Sequence, residues 1–244
     1  MSSGLLSYAI SSDVLSSPPF VVVPGVINIR ALGGTSAEGT QMHIKPLHVF
    51  CSGELTRITD VGRSKLEELG VTTVFDLRSD SEIAEFHSET PDIPGIRFVR
   101  APALTENAWK IDIPELRADL NGYDQILQMA GPSYGLIFSH LRDHPSEPCL
   151  VHYTVGRDRT GLFVVLFYML MRVSDSNIAH DYYLSTAGLA PFLPVLETRF
   201  RSIPVFRDNW EGFSKMFSAK YFRQAKGLPG IRELFQCQNK EEEE

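Results

Sequence analysis

The amino-acid sequence predicts an α/β fold, a central and mainly parallel sheet flanked by helices, and three stretches carry that expectation. A helical pattern from Thr59 to Leu69 runs directly into an apolar, β-branched run from Val71 to Leu77. A second helical face, made of Tyr134, Ile137, Phe138 and Leu141 at i, i+3, i+4 and i+7, is followed by the short apolar strand Cys149-Leu150-Val151-His152. That strand leads through a loop into a helix that stays apolar all round to Met171, which marks a buried helix. Alternation of helix and strand builds parallel sheets, with loops gathered at the carboxyl ends of the strands.

Taken in order, residues 1–20 are rich in serine and end in Ser16-Ser17-Pro18-Pro19 before Phe20, which predicts a flexible arm. One domain is expected over residues 21–236. Phe20 to Arg30 reads as β-rich and runs into the turn signal Leu32-Gly33-Gly34; Val49 to Ser52 reads as a further short strand. Thr59 is placed to cap the first helix and Gly70 to stop it. From Asp80 to Asn121 the chain mixes charges, prolines and short apolar groups, so a variable lobe is expected over about 80–125. His144-Pro145 ends the second helix, Asn177 to Ser185 continues as helix, and more helices are expected from 191 to 235. The closing Lys-Glu-Glu-Glu-Glu predicts an acidic, disordered tail over 237–244.

Composition narrows the function classes. The chain of 244 residues is 43% hydrophobic and 22% charged, which suits one well-cored soluble domain. A net charge of −7 speaks against nucleic acid or an anionic membrane as the main partner. It leaves room for a small basic pocket, because a local field depends on where the arginines sit. Cys51, Cys149 and Cys237 lie far apart, with neither a metal spacing nor a disulfide framework, as expected of reduced thiols in a cytoplasmic protein. No basic region followed by a long apolar stretch opens the chain, so no secretory signal is expected. The longest apolar run, Leu162 to Met171, is too short to insert through a membrane. Neither a metal nor a cofactor is expected.

The chemistry concentrates in His152-Tyr153-Thr154-Val155-Gly156-Arg157-Asp158-Arg159-Thr160-Gly161. A glycine-containing loop entering a helix N-terminus can aim backbone N–H groups and the helix dipole at an anion. Arg159 stands where a planar guanidinium could hold two oxygens of that anion, with Thr154, Val155, Gly156 and Arg157 completing the anion-binding loop.

The ordered string resembles the signature of the cysteine-dependent protein tyrosine phosphatases, His-Cys-x-x-Gly-x-x-Arg-Thr-Gly. It is most similar to the bacterial and fungal tyrosine/serine and phosphoinositide phosphatase branch, which reads His-Cys-Thr-Ala-Gly-Lys-Asp-Arg-Thr-Gly. Other blocks agree: Asn28-Ile29-Arg30-Ala31-Leu32-Gly33-Gly34, Ser52-Gly53-Glu54-Leu55, Asp76-Leu77-Arg78-Ser79 and Asp181-Tyr182-Tyr183-Leu184-Ser185. The resemblance runs from about residue 25 to about 190. Three polar positions depart from it: Tyr153 stands where the nucleophilic cysteine would be, Ala31 where the branch has aspartate, and Cys51 where it usually has arginine.

The resemblance implies a covalent mechanism in which a thiolate attacks phosphorus, Arg159 stabilises the equatorial oxygens, and Asp76 or Asp158 protonates the leaving oxygen. A phenol, with a reference pKa of about 10, is a poor nucleophile at neutral pH. Loss of a covalent nucleophile can cost on the order of a million-fold in rate. Cys149 lies four positions early and reads as a core residue rather than a substitute. Three readings stay open. The loop has turned to other acid–base chemistry on a small anionic or carbonyl-bearing molecule, with Tyr153 of lowered pKa as acid or base and Asp158 or Asp76 as its partner, as suits isomerisation, cyclisation, elimination or dehydration. Alternatively it is a catalytically dead pseudophosphatase that binds a phosphorylated or anionic partner. Or it retains slow phosphomonoester hydrolysis by water.

The remaining candidates carry support roles. His152 and Thr160 are expected to shape the loop, and Arg78 shares a strand face with Asp76, either at the pocket rim or in a fold-holding ion pair. Asp181, beside Tyr182, is expected to brace the loop from a neighbouring helix. Trp109 and Trp210 are candidates for an apolar lid.

Overall fold

The sheet is built from β1 (Arg30–Leu32), β2 (Val49–Ser52), β3 (Thr73–Asp76), β4 (Arg97–Arg100) and β5 (Cys149–His152), in the spatial order β1-β2-β5-β3-β4. Only β1 runs antiparallel to its neighbour; the other pairings are parallel. This computed structural model describes residues 12–104, 121–203, 207, 208 and 210. The central, mainly parallel sheet flanked by helices is thus the architecture of the chain.

The inner strands β2, β3 and β5 are buried on both faces, as parallel sheets require. Val49 and Cys51 of β2, Phe75 of β3, and Cys149 and Val151 of β5 pack in one core with helices α4 (Asn121–Asp143) and α5 (Arg159–Leu170). The alternate residues Phe50, Val74 and Leu150 pack on the other face with Leu66 of α2 (Asp60–Glu68). Helix α5 is buried from Arg159 through Tyr168, which explains why its sequence lacks a polar face. Tyr134 of α4 donates a hydrogen bond to the carbonyl of Arg159 at 2.7 Å, tying the start of α5 to the neighbouring helix.

Local signals explain several element ends. The Thr59 side chain accepts a hydrogen bond from the Gly62 amide, and Gly70 leaves the helix at φ +71°. Helix α4 ends at Asp143, just before His144-Pro145. Helices α6 (Asp175–Leu189) and α7 (Leu193–Arg201) follow, joined by a short 3-10 turn, Ala190–Phe192. The register aligns the last residues of the parallel strands, Ser52, His152, Asp76 and Arg100, along one edge of the sheet. The loops that leave this edge build the candidate site.

Three expectations need correction. The Phe20–Arg30 stretch is not a continuous strand: Phe20 makes an isolated bridge to Arg30, and strand geometry begins only there. Pro24-Gly25 and the left-handed Asn28 (φ 53°) turn the intervening chain. The segment expected as a variable lobe contributes β4 to the central sheet and opens with helix α3 (Asp80–Glu85); its residues 105–120, with Trp109, lie outside the described residues. The final part of the expected arm also belongs to the fold, since Ser12–Leu15 is a helical turn (α1) in contact with α6 and Phe20 is buried. Helix α5 begins at Arg159, which places the arginine of the loop string in its first turn. Residues 1–11, Cys237 and the expected tail lie outside the described residues. Among the described residues no helix is long and apolar enough to cross a membrane, and no group of three or more His, Cys, Asp or Glu could hold a metal ion.

Candidate active site

The loop Tyr153 to Asp158 joins β5 to α5, and its course depends on close backbone approach. Gly156 has φ +68°, and a Cβ there would lie 2.3 Å from the Ser52 carbonyl, so only glycine fits. A Cβ on Gly161 would meet the Tyr182 ring at 2.8 Å, which lets Tyr182 of α6 press against the first turn of α5. Thr154 and Val155 are both buried. The Thr154 carbonyl accepts the Glu54 amide at 3.2 Å, and Val155 packs with Leu189 and Leu196.

A second layer holds the loop from behind. The Asn28 amide donates to the carbonyls of Val155 (3.1 Å) and Gly156 (2.9 Å). Its own side-chain oxygen accepts from Arg30 at 2.6 Å, and Arg30 pairs with Asp181 at 3.2 Å. Asp181 therefore stands two side chains behind the loop, bracing it through Arg30 and Asn28. Arg30 and Asp181 are both buried. Cys51, next to this pair, has its thiol pushed up to about 12 by burial.

Glu82 occupies the centre of the site, and no sequence reading singled it out. One carboxylate oxygen accepts the Tyr153 hydroxyl at 3.0 Å. The other accepts Arg159 at 2.6 Å and the backbone amide and hydroxyl of Ser79 at 2.8 and 3.0 Å. The signal was available, because Ser79-Asp80-Ser81-Glu82 has the spacing of a capping box, and that box forms at the start of α3. The Arg159 guanidinium also lies over the Tyr153 ring, 4.1 Å from its centroid. The signature arginine and the tyrosine are thus joined through one internal carboxylate.

Tyr153 does not have the lowered pKa expected of it. Burial raises the phenol, and the Glu82 carboxylate and Asp158 add to that rise against the pull of Arg159. Burial would also raise Glu82, but Arg159 and the Ser79 hydrogen bonds hold it below its ordinary value.

The two candidate aspartates separate clearly. Asp76 is fully buried at the end of β3, accepting from Arg78 at 2.9 and 2.7 Å and pairing with Arg100 at 2.7 Å. Against the burial that would raise it, His152 and Arg78 hold Asp76 well below the usual carboxylate range. It is a fold-holding anion with no proton to give at neutral pH, which corrects its expected role as acid. Arg78 is the matching cation, and also reaches Glu54 (3.2 Å) and the Ser88 carbonyl (2.9 Å). Asp158 is the opposite case. It takes the N-cap position of α5 without making a side-chain cap bond, and burial raises its pKa against the pull of Arg157 and Arg159.

The other expected residues fall nearby. Arg157 is buried with its guanidinium 5.8 Å from the Tyr182 ring centroid. His152 is buried 3.7 Å from Asp76, with its pKa lowered to about 4 by burial, so it is neutral at physiological pH. Thr160 is buried in the first turn of α5. Cys149 sits in the core facing α4 and α5, its thiol pushed up to about 12 by burial. Trp210 lies under the Arg201 guanidinium at 4.2 Å.

A five-stranded α/β sheet with a glycine-turned loop between β5 and a buried helix defines a phosphatase-type domain. The match to the tyrosine phosphatase family extends over residues 21–238, and the chain belongs to that family. It is 25% identical to the triple specificity protein phosphatase PtpB of Mycobacterium tuberculosis, over 86% of this chain and 83% of that protein. It is 28% identical to a tyrosine-protein phosphatase of Nostoc commune, over 55% of this chain and 47% of that protein. Among solved structures, human DUSP28 aligns with 68% of this chain and 82% of its own, at 17% identity and a TM-score of 0.37.

Proposed function

We propose that this chain is a tyrosine-phosphatase-fold protein without the covalent phosphatase reaction, whose loop performs acid–base chemistry on a small anionic or carbonyl-bearing molecule in the cytoplasm. The observation that carries this reading is the contrast between Tyr153 and Asp158. The residue at the nucleophile position keeps its proton and gives its hydrogen bond to Glu82. The carboxyl at the entrance of α5 is held toward its protonated form beside two arginines. Such a site sets a carboxyl biased toward its acid form beside two cations and lacks the cysteine nucleophile, which suits dehydration, elimination, cyclisation or isomerisation. In a dehydration, Asp158 gives its proton to a leaving hydroxyl, the C–O bond breaks and water departs. The resulting carboxylate then takes the proton from the adjacent carbon as the double bond forms.

A second reading has its own support. Arg159 is engaged by Glu82 and lies on the Tyr153 ring, so the seat a phosphate would take against that arginine is filled from within. A pseudophosphatase that binds a phosphorylated or anionic partner without turnover would show the same arrangement.

Hydrolysis of a fluorogenic aryl phosphate, measured for the unmodified protein beside Tyr153→Cys, tests the loss of the covalent reaction. No turnover by the former and appearance of turnover in the latter is the expected result. Turnover by the unmodified protein that vanishes in Arg159→Ala would establish a phosphatase working without cysteine and overturn the proposal. The acid–base reading is tested by incubating β-hydroxycarbonyl compounds with the protein in heavy water. Deuterium entry next to the carbonyl, abolished by Asp158→Asn, supports it. Absence of exchange together with tight binding of a phosphopeptide favours the pseudophosphatase.

A further inference from the structure

A cleft of about 660 Å³ opens beside the loop, between the end of α3 and helix α7. Its lining includes Arg57, Phe86, His87, Pro194, Val195 and Arg199, and none of the loop residues 153–159. Glu54 forms the partition. Its amide bonds the Thr154 carbonyl on the loop side, while its carboxylate holds Arg199 on the cleft side and Arg78 behind.

Three features give this cleft a ligand chemistry. First, Arg199 lies over the Phe86 ring, 4.6 Å from its centroid, so a planar cation and an aromatic ring form one flat wall. Val195, half exposed on α7, leaves apolar surface open to water next to that wall. Second, Arg57 is exposed and has no hydrogen bond or carboxylate partner among the described residues. The other lining guanidinium, Arg199, is tied to Glu54. The two lining guanidinium groups balance the two lining carboxylates, Glu54 and Glu85, but Glu54 is already engaged by Arg199, so Arg57 is the cation left to meet a bound anion. Third, His87 lines the cleft in the left-handed conformation, with φ 45°. That position after a helix usually belongs to glycine. An imidazole held there at a conformational cost is a second polar group set at the mouth.

We infer that this cleft binds an amphipathic organic monoanion, with its carboxylate at Arg57 and its apolar body on Val195 and the Phe86–Arg199 wall. The volume lies within the range of about 300–1,000 Å³ common to small-molecule sites, where apolar surface supplies affinity and a few polar groups fix orientation. The site is separate from the chemistry assigned to the loop and stands whether or not that assignment holds.

Calorimetric titration of the full chain with 4-phenylbutyrate and with its uncharged amide tests the inference. The acid should bind, and the amide should bind at least about tenfold more weakly, because it forfeits a charge-assisted bond to Arg57. Arg57→Gln and Val195→Asp alter exposed side chains, leave the fold intact, and should each weaken the acid by a similar factor. Asp158→Asn should leave this binding unchanged. Equal binding of acid and amide, no binding of either, or an unchanged affinity in Arg57→Gln would overturn the assignment. Binding lost in Asp158→Asn yet kept in Arg57→Gln would place the anion in the loop instead.

Discussion

Tyr153 donates its hydroxyl to Glu82 across 71 residues of chain, at 3.0 Å, and the same carboxylate takes Arg159 at 2.6 Å. Arg159 and Glu82 are both buried, so removing either leaves an uncompensated charge. Glu82→Ala is expected to cost about 3–5 kcal/mol of stability for that reason. Tyr153→Phe, which removes one hydrogen bond to a charged acceptor, should cost about 1.5 kcal/mol. In the Glu82→Ala background the same Tyr153→Phe change should cost close to nothing. Urea unfolding of the two single variants and the double variant measures the coupling; additive losses would mean that the two side chains do not act as a pair.

Asp76 and Asp158 should respond to pH with opposite signs. The folded pKa of Asp76 lies below its unfolded value of about 3.9, so its stabilisation is present above that value and is lost as the pH falls through the folded pKa. Asp76→Asn should therefore destabilise strongly at pH 7 and less in acid. For Asp158 the folded pKa is raised, so its stabilisation is full below the unfolded value and is lost as pH rises through the folded one. Asp158→Asn should gain thermal stability relative to the unmodified protein as pH goes from 4 to 7. Melting temperatures of Asp76→Asn from about pH 5 down to about pH 2, and of Asp158→Asn from about pH 4 up to about pH 7, settle the signs; profiles with the same sign in their two windows would contradict the assignment of the two carboxyls.

Asn28 bonds two loop carbonyls while receiving Arg30. Asn28→Ala leaves the two buried carbonyls without that donor and Arg30 without an acceptor, which should cost about 2–4 kcal/mol. Because the loop is held from this side, the effect should be local before it is global. Hydrogen exchange at the amides of residues 153–157 should accelerate more than exchange in β3. Uniform acceleration throughout the sheet would show that Asn28 supports the fold at large.

The sequence made the central strands and helix ends legible because their causes are local. Val49–Ser52 and Cys149–His152 are short apolar runs, and Thr59 with Gly70 brackets a helix within a dozen residues. Strand β4 escaped because Arg-Phe-Val-Arg lies at the sheet edge with its side chains only partly buried, so it lacks the apolar run of a central strand. The loop itself was legible as an ordered string. What its members do was not, because that depends on depth and on distant partners. Glu82 reaches Arg159 over 77 residues, and nothing near Asp76 in the chain announces that Arg100 lies beside it. The pKa of Tyr153 went the opposite way from expectation for the same reason. Two neighbouring arginines suggested a lowered value, whereas burial and a carboxylate from another helix raise it.

The end of α3 offers a test in which stability and binding should move apart. The Ser88 amide bonds the Ile83 carbonyl at 3.0 Å and the His87 amide bonds that of Ala84 at 3.3 Å, with His87 at φ 45° between them. This is the paired hydrogen bonding of a Schellman ending, in which the left-handed residue is usually glycine because a Cβ there costs about 1 kcal/mol or more. Glycine also loses more freedom on folding, which returns part of that gain. His87→Gly is therefore expected to stabilise the protein by about 0.5 kcal/mol in urea unfolding with an unchanged slope. The same change takes the imidazole from the mouth of the cleft, so affinity for 4-phenylbutyrate should fall while stability rises. A loss of stability would mean that the imidazole makes contacts worth more than the strain it imposes, and would place His87 with the fold rather than with the ligand.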